Sequence, residues 1–142
     1  MSSMTGLDVF DTTVHKTNVW LKDIMEAIGT ENRHQAYLAL RAVLHTLRDR
    51  LTVEEAAQLG AQLPMLIRGL YYETWKPSDK PLKERTKEEF LYHISDYFQK
   101  EPIADSEHIA RSVFKVMAKR VSEGEIEDVK ALMPKHLHEL WE

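Results

Sequence analysis

The sequence contains no cysteine. This excludes a disulfide framework, a thiolate nucleophile and a zinc site built on cysteine ligands. Glycine and proline number only five each in 142 residues, and the alternation typical of strands is missing, so we predict an all-α chain. No run of eighteen apolar residues occurs, so we expect no membrane span. The start of the chain lacks the charged and apolar regions of a signal peptide, and we expect a cytoplasmic location.

A surplus of positive charge is also missing. The formal net charge is −4, so no overall basic field exists and nucleic acid is not the expected partner. We recognise no nucleophile with a neighbouring base, no phosphate loop and no cofactor motif, and we predict no catalytic residue and no cofactor. Seven histidines are present. His45 and Asp49 have a spacing suitable for metal ligands on a helix, but no third ligand is evident, so we predict no metal site. An enzyme is therefore the less favoured class.

Two stretches of the chain match each other without a gap at an offset of seventy residues. The matching positions include a cationic residue, a hydroxyl residue, a glutamate and a proline: Arg50 with Arg120, Thr52 with Ser122, Glu55 with Glu125, and Pro64 with Pro134. We interpret the match as a tandem duplication of a four-helix unit, packed into one globular helical domain over residues 1–142. The copies cover about 8–73 and 87–142, and residues 75–86 link them. Two unrelated sets of amphipathic helices are the alternative.

Apolar residues recur at steps of three and four, which predicts amphipathic helices. The predicted inner stripe of the first helix starts at Phe10, and Leu66 lies on the predicted inner face of the fourth. Residues with capping chemistry predict where the helices begin and end. We predict helix starts at Asp8, Asn32, Thr52, Pro64, Thr86, Ser122 and Pro134, an end at Gly29, and reciprocal capping boxes at Thr52–Glu55 and Thr86–Glu89.

Several of these stretches also resemble a known family. They are residues 41–56 (Arg-Ala-Val-Leu-His-Thr-Leu-Arg-Asp-Arg-Leu-Thr-Val-Glu-Glu-Ala), 62–75, 6–17 and 124–129. With them the chain resembles the bacterial proteins grouped as domain of unknown function 2267, over nearly its whole length. The resemblance implies a soluble, helical, bacterial protein, and it implies no activity and no catalytic residues.

Basic residues supply the first candidate sites. Arg50 and Arg120 each lie at a predicted helix C-terminus, where a cation meets free carbonyls. We interpret them as a structural pair, with an anion site built by both arginines as the alternative. Arg41, His45 and Arg48 form a strip that we place on the outer, solvated face of the second helix. The glutamates gathered at helix starts fit the helix dipole, which predicts a structural role for them.

The segment that follows the fourth predicted helix gives a candidate interaction surface. Between Lys76 and Lys87 it carries five basic and two acidic residues, and two aromatic residues that the repeat does not explain precede it. Aromatic and cationic side chains are typical of interface hot spots. The candidate surface comprises Tyr72, Trp75, Lys76, Lys80, Lys83 and Arg85. The alternative is that the two aromatic rings cover the seam between the copies.

These observations favour a non-enzymatic protein-interaction or regulatory module with an unidentified protein partner. The alternative is a carrier of a small apolar or anionic ligand, bound at the seam between the copies, because helical bundles build ligand sites between facing helices. The sequence does not specify an oligomeric state.

Overall fold

The computed structural model describes residues 4–99 and 105–142, and in these residues it contains helices and no strand. The predicted all-α class is thereby confirmed. Seven α-helices and two 3-10 helices are formed by the described residues. In chain order they are α1 (Asp8–Ile28), α2 (Arg33–Arg48), α3 (Val53–Ala61), α4 (Met65–Tyr72), a 3-10 helix (Pro77–Asp79), α5 (Lys87–Asp96), α6 (Ser106–Arg120), α7 (Glu123–Ala131) and a 3-10 helix (Lys135–Trp141).

Local capping chemistry sets most of the helix ends. The side chain of Asn32 accepts a hydrogen bond from the backbone of Gln35 at the start of α2, as an N-cap residue does. Gly29 ends α1 with a φ of 88°, a left-handed conformation that glycine adopts without steric cost. The N-cap of α1 is Leu7 rather than Asp8. Asp8 lies instead in the first turn, where its charge is favoured by the free backbone amides.

The two halves of the chain share some features and differ in others. Helices α3 and α7 both have nine residues, and each follows a hydroxyl cap, Thr52 or Ser122. In contrast, α1 has 21 residues and α5 has ten. The segment after Pro134 is a 3-10 helix, while the segment after Pro64 is the α-helix α4. The duplication is therefore still an interpretation of the sequence pattern.

One continuous apolar core joins the helices. Helix α2 packs against α1, α4, α5 and α6, and α6 also packs against α1 and α5. Large side chains from both halves meet in this core, among them Trp20, Leu44, Phe90 and Phe114. Burial of this apolar surface is the main favourable contribution to folding.

Two predicted inner residues are exposed instead. Phe10 is 44% exposed and Leu66 is 48% exposed. The inner face of α4 is formed by Ile67 and Tyr71, which lie four residues apart and are fully buried, so Leu66 falls beside this stripe. Along α1 the first buried residue is Thr13, and the turn with Phe10 extends beyond the packed part. None of the described helices combines the length and the apolar content that crossing a bilayer requires.

Candidate functional site

A groove runs between α1 and the junction of α3 with α4. Its volume is about 560 Å³, within the range of about 300–1,000 Å³ that is common for ligand sites. Helix α1 forms one wall, the α3–α4 junction forms the other, and Arg120 closes one end. The lining residues are His15, Lys16, Val19, Trp20, Gln62, Leu63, Pro64, Met65, Arg68 and Arg120. We call this the basic groove.

Cations and apolar groups line the basic groove, and none of the lining residues is acidic. Arg68 is held in place because its Nε donates to the Gly60 carbonyl at 2.9 Å and its Nη2 donates to the Leu63 carbonyl at 2.8 Å. Lys16 is exposed, and within the described ranges no carboxylate lies at ion-pair distance from it. The groove therefore presents positive charge in a chain whose net charge is −4.

A second depression of about 370 Å³ adjoins the basic groove and shares Lys16, Pro64 and Met65 with it. Its other lining residues come from the first two turns of α1. Five apolar residues near this depression are each more than two-fifths exposed. They are Leu7, Val9, Phe10, Met65 and Leu66. We call these five residues the apolar rim. An exposed apolar cluster beside a groove is typical of a binding surface.

The structure does not bring Arg50 and Arg120 into one site. The Nη1 of Arg50 donates to the Thr46 carbonyl at 2.8 Å, and its guanidinium lies 5.4 Å from the centre of the Phe90 ring. Burial lowers the pKa of Arg50. Arg120 donates two hydrogen bonds to Asp23, at 3.0 and 2.6 Å.

Each arginine thus joins one half of the chain to the other. Arg50 also approaches Glu84, with 3.9 Å between Nη2 and Oε1. Arg120, at the end of α6, reaches Asp23 on α1. Charged hydrogen bonds across a helix interface fix how the helices pack. Arg120 remains a wall of the basic groove, so one member of the pair belongs to the candidate site.

The candidate interaction surface predicted around the linker contains two aromatic residues that pack against the core and four basic residues, most of which are exposed. Tyr72 and Trp75 are half-buried, pack against the core and have ring centres 5.5 Å apart. The buried Nε1 of Trp75 has no hydrogen-bond partner within the described residues. The basic residues Lys76, Lys83 and Arg85 are exposed, whereas Lys80 is half-buried.

Two residues of the predicted outer strip of α2, His45 and Arg48, in fact face inward, and for them that prediction was wrong, whereas Arg41 is half-buried. His45 is 1% exposed and Arg48 is 2% exposed. The Nη1 of Arg48 donates to the carbonyls of Tyr71 and Glu73, at 2.6 and 2.9 Å. Arg41 forms an ion pair with Glu73. His45 and Arg48 lie inside, where they hydrogen-bond the carbonyls at the C-terminal end of α4, which have no partner within that helix.

His45 is held by two hydrogen bonds that define its tautomer. The Leu70 carbonyl, 2.7 Å from Nε2, can only accept, so Nε2 carries the hydrogen. The Tyr97 hydroxyl, 2.9 Å from Nδ1, then donates to that nitrogen. Burial lowers the pKa of His45 to about 4, and the nearby charge of Arg48 contributes to the decrease. A neutral, fixed imidazole of this kind is a structural element of the α2–α4 contact.

A cluster of carboxyl groups was not predicted from the sequence. Thr52 accepts a hydrogen bond from the Glu55 backbone at 3.1 Å, but the reciprocal capping box predicted there is not formed. In the described structure it is formed at Thr86 and Glu89. The Glu55 side chain instead lies against Glu125, and Asp128 completes the cluster. The matching of Glu55 with Glu125 in the repeat was the available signal.

The fold and the groove define a small all-α protein with a candidate binding surface between its helices. Comparison with protein families places the chain in one of them. It belongs to the family described as an uncharacterised conserved protein (DUF2267), which it matches over residues 17–140. The suspected family is therefore confirmed. No curated protein matches the chain.

Proposed function

We propose that the protein is a non-enzymatic binding module that takes up a segment of another protein in the basic groove and across the apolar rim. The supporting observation is the groove itself, which combines Lys16, Arg68 and Arg120 with apolar side chains and has no acidic lining residue. A bacterial origin and a cytoplasmic location, both expected from the sequence, are part of this proposal.

The lining chemistry indicates what the partner segment contains. Positive walls favour acidic side chains by electrostatic complementarity. Exposed Met65, Leu66 and Phe10 favour apolar side chains that cover them, and methionine and aromatic residues are enriched at the centres of interfaces. We therefore expect an acidic segment with interspersed apolar residues, which would lie with its acidic side chains near Lys16 and its apolar ones on the rim.

The shape of the surface supports an extended partner. The basic groove and the neighbouring depression share Lys16, Pro64 and Met65, so one segment can pass from one to the other without leaving the surface. A peptide gains affinity from such a continuous path because several side chains are anchored at once. The basic linker residues Lys76, Lys83 and Arg85 lie on the described surface as a further predicted contact region.

A second candidate function is supported by the volume of the basic groove. At about 560 Å³ it is large enough for a small molecule, since ligand sites begin at about 300 Å³. An amphipathic anion would place its charged group near Arg120 and Lys16, and its apolar part against Leu63 and Met65. In that case the protein would carry a small ligand at a site walled by residues of both halves.

The proposal is tested by capturing partners from the native cell with the wild-type protein and two charge-reversal variants. Lys16→Glu reverses a charge inside the basic groove. Lys22→Glu makes the same change on an exposed residue of α1 that does not line it, and is the matched control. We expect a protein partner that is lost with Lys16→Glu and retained with Lys22→Glu.

Two other results would reject the protein-binding proposal. Equal capture by all three proteins would place the partner elsewhere on the surface. A small molecule that co-purifies with the wild type and Lys22→Glu, but not with Lys16→Glu, would support the carrier function instead. Proteins and small molecules are therefore both analysed by mass spectrometry in the same samples.

A further inference from the structure

The N-terminal turns of α3 and α7 bring three carboxyl groups together. Glu55 and Glu125 occupy the third position after the caps Thr52 and Ser122. One oxygen from each of Glu55, Glu125 and Asp128 lies within 4.8 Å of the others. The helices belong to different halves of the chain, so the cluster forms only in the folded protein.

One oxygen of the Glu125 carboxyl is buried without a hydrogen-bond partner among the described residues. Its residue is 8% exposed, and Oε2 of Glu125 and Oε2 of Glu55 have no hydrogen-bond partner among the described residues. Two buried carboxylates that face each other are costly unless positive charge compensates them. A hydrogen bond between the two carboxyl groups requires a proton on one of them, and burial together with the neighbouring Glu55 raises the pKa of Glu125.

A surface depression opens onto the cluster. Its volume is about 290 Å³, and its lining includes Glu55 and Asp128 together with the oxygen-bearing side chains of Thr52, Glu54 and Gln58. It provides a path from solvent and room for bound water. Cations such as Mg²⁺ and Ca²⁺ complete their coordination with water and with amide or carboxylate oxygens.

We propose that Glu55, Glu125 and Asp128 form a binding site for a hard divalent cation, of the class of Mg²⁺ and Ca²⁺. The donors in the cluster are all oxygen atoms, which suit hard cations better than zinc or copper. The bound ion compensates the facing carboxylates and links α3 to α7. No local spacing of residues indicates this site in the sequence, because its carboxylates come from two distant segments.

The test uses the full chain, freed of metal by a chelator, in an alkaline buffer whose pH lies above the raised pKa of Glu125, so that all three carboxyl groups are ionised. Binding of Mg²⁺, Ca²⁺ and Mn²⁺ is measured separately by calorimetry, and the melting temperature is recorded with and without each ion. We expect at least one of these ions to bind with a stoichiometry of one and to raise the melting temperature, because it binds the folded state.

Variants assign the binding to the cluster. Glu125→Gln and Asp128→Asn should each weaken binding on the order of tenfold or more, as the loss of a group that supports a metal does. Glu127→Gln, an exposed change on the same helix, is the matched control and should bind like the wild type. Asp128 is exposed, so its variant tests the site even if Glu125→Gln does not fold.

Two outcomes overturn the proposal. If none of the three ions binds or changes the melting temperature, the pair of glutamates holds a shared proton instead. If Asp128→Asn and Glu127→Gln bind an ion as tightly as the wild type, the ion occupies another acidic surface.

Discussion

Acidification should destabilise this protein through His45. The buried imidazole has a pKa of about 4 in the folded protein, against an ordinary value of 6.5. Because the folded value is the lower one, the unfolded chain binds a proton first as the pH falls. The stability associated with neutral His45 is complete above pH 6.5 and is lost as the pH decreases from 6.5 towards 4.

The magnitude follows from proton linkage. Between pH 6.5 and 4 the unfolded state takes up a proton that the folded state does not. The free energy of unfolding therefore falls by about 1.4 kcal/mol for each pH unit. Over the whole interval the loss approaches about 3 kcal/mol, a substantial part of the stability of a domain, which is about 5–15 kcal/mol. The physical reason is that protonated His45 would place a charge in the core, away from water and beside the positive charge of Arg48.

Urea denaturation at a series of pH values measures this effect in the wild type and in His45→Gln. The other histidines of the chain are present in both proteins, so the difference between the two isolates the contribution of His45. We expect the wild type to lose stability more steeply below pH 6.5. Parallel curves for the two proteins would show that His45 is protonated equally in both states, and the reasoning would fail.

Three further predictions concern stability and are checked by chemical denaturation. Replacing Arg48, which is 2% exposed, by Met should cost about 3–5 kcal/mol, because the last carbonyls of α4 and the half-buried carboxylate of Asp49 lose their donor. A cost below about 1 kcal/mol would contradict this. Gly60→Ala should cost about 1–3 kcal/mol through overpacking, because the added Cβ at position 60 would lie 2.3 Å from the hydroxyl oxygen of Tyr72. Adding Tyr72→Leu to this variant should restore most of the lost stability. Thr52→Ala and Ser122→Ala should each cost about 1 kcal/mol as lost N-caps, and no change in either variant would show that these hydroxyls do not cap.

The sequence alone indicated most of the helices and their ends, because these signals are local. Asn32 and Thr86 accept hydrogen bonds from backbone amides three residues away, and Gly29 supplies the left-handed turn that ends α1. Apolar residues at steps of three and four predicted the buried side of most helices. The match with the family also rests on the linear order of residues, and it covers residues 17–140.

Tertiary structure decided which polar residues meet. His45 and Arg48 are buried because the C-terminal carbonyls of α4 lie beside them, and no spacing within α2 contains that information. Glu55 and Glu125 face each other because α3 and α7 pack at their N-terminal turns. The basic groove arises where Arg120, at the end of α6, reaches α1 and the α3–α4 junction. Contacts between distant segments depend on how whole helices pack, and a local pattern cannot encode that arrangement.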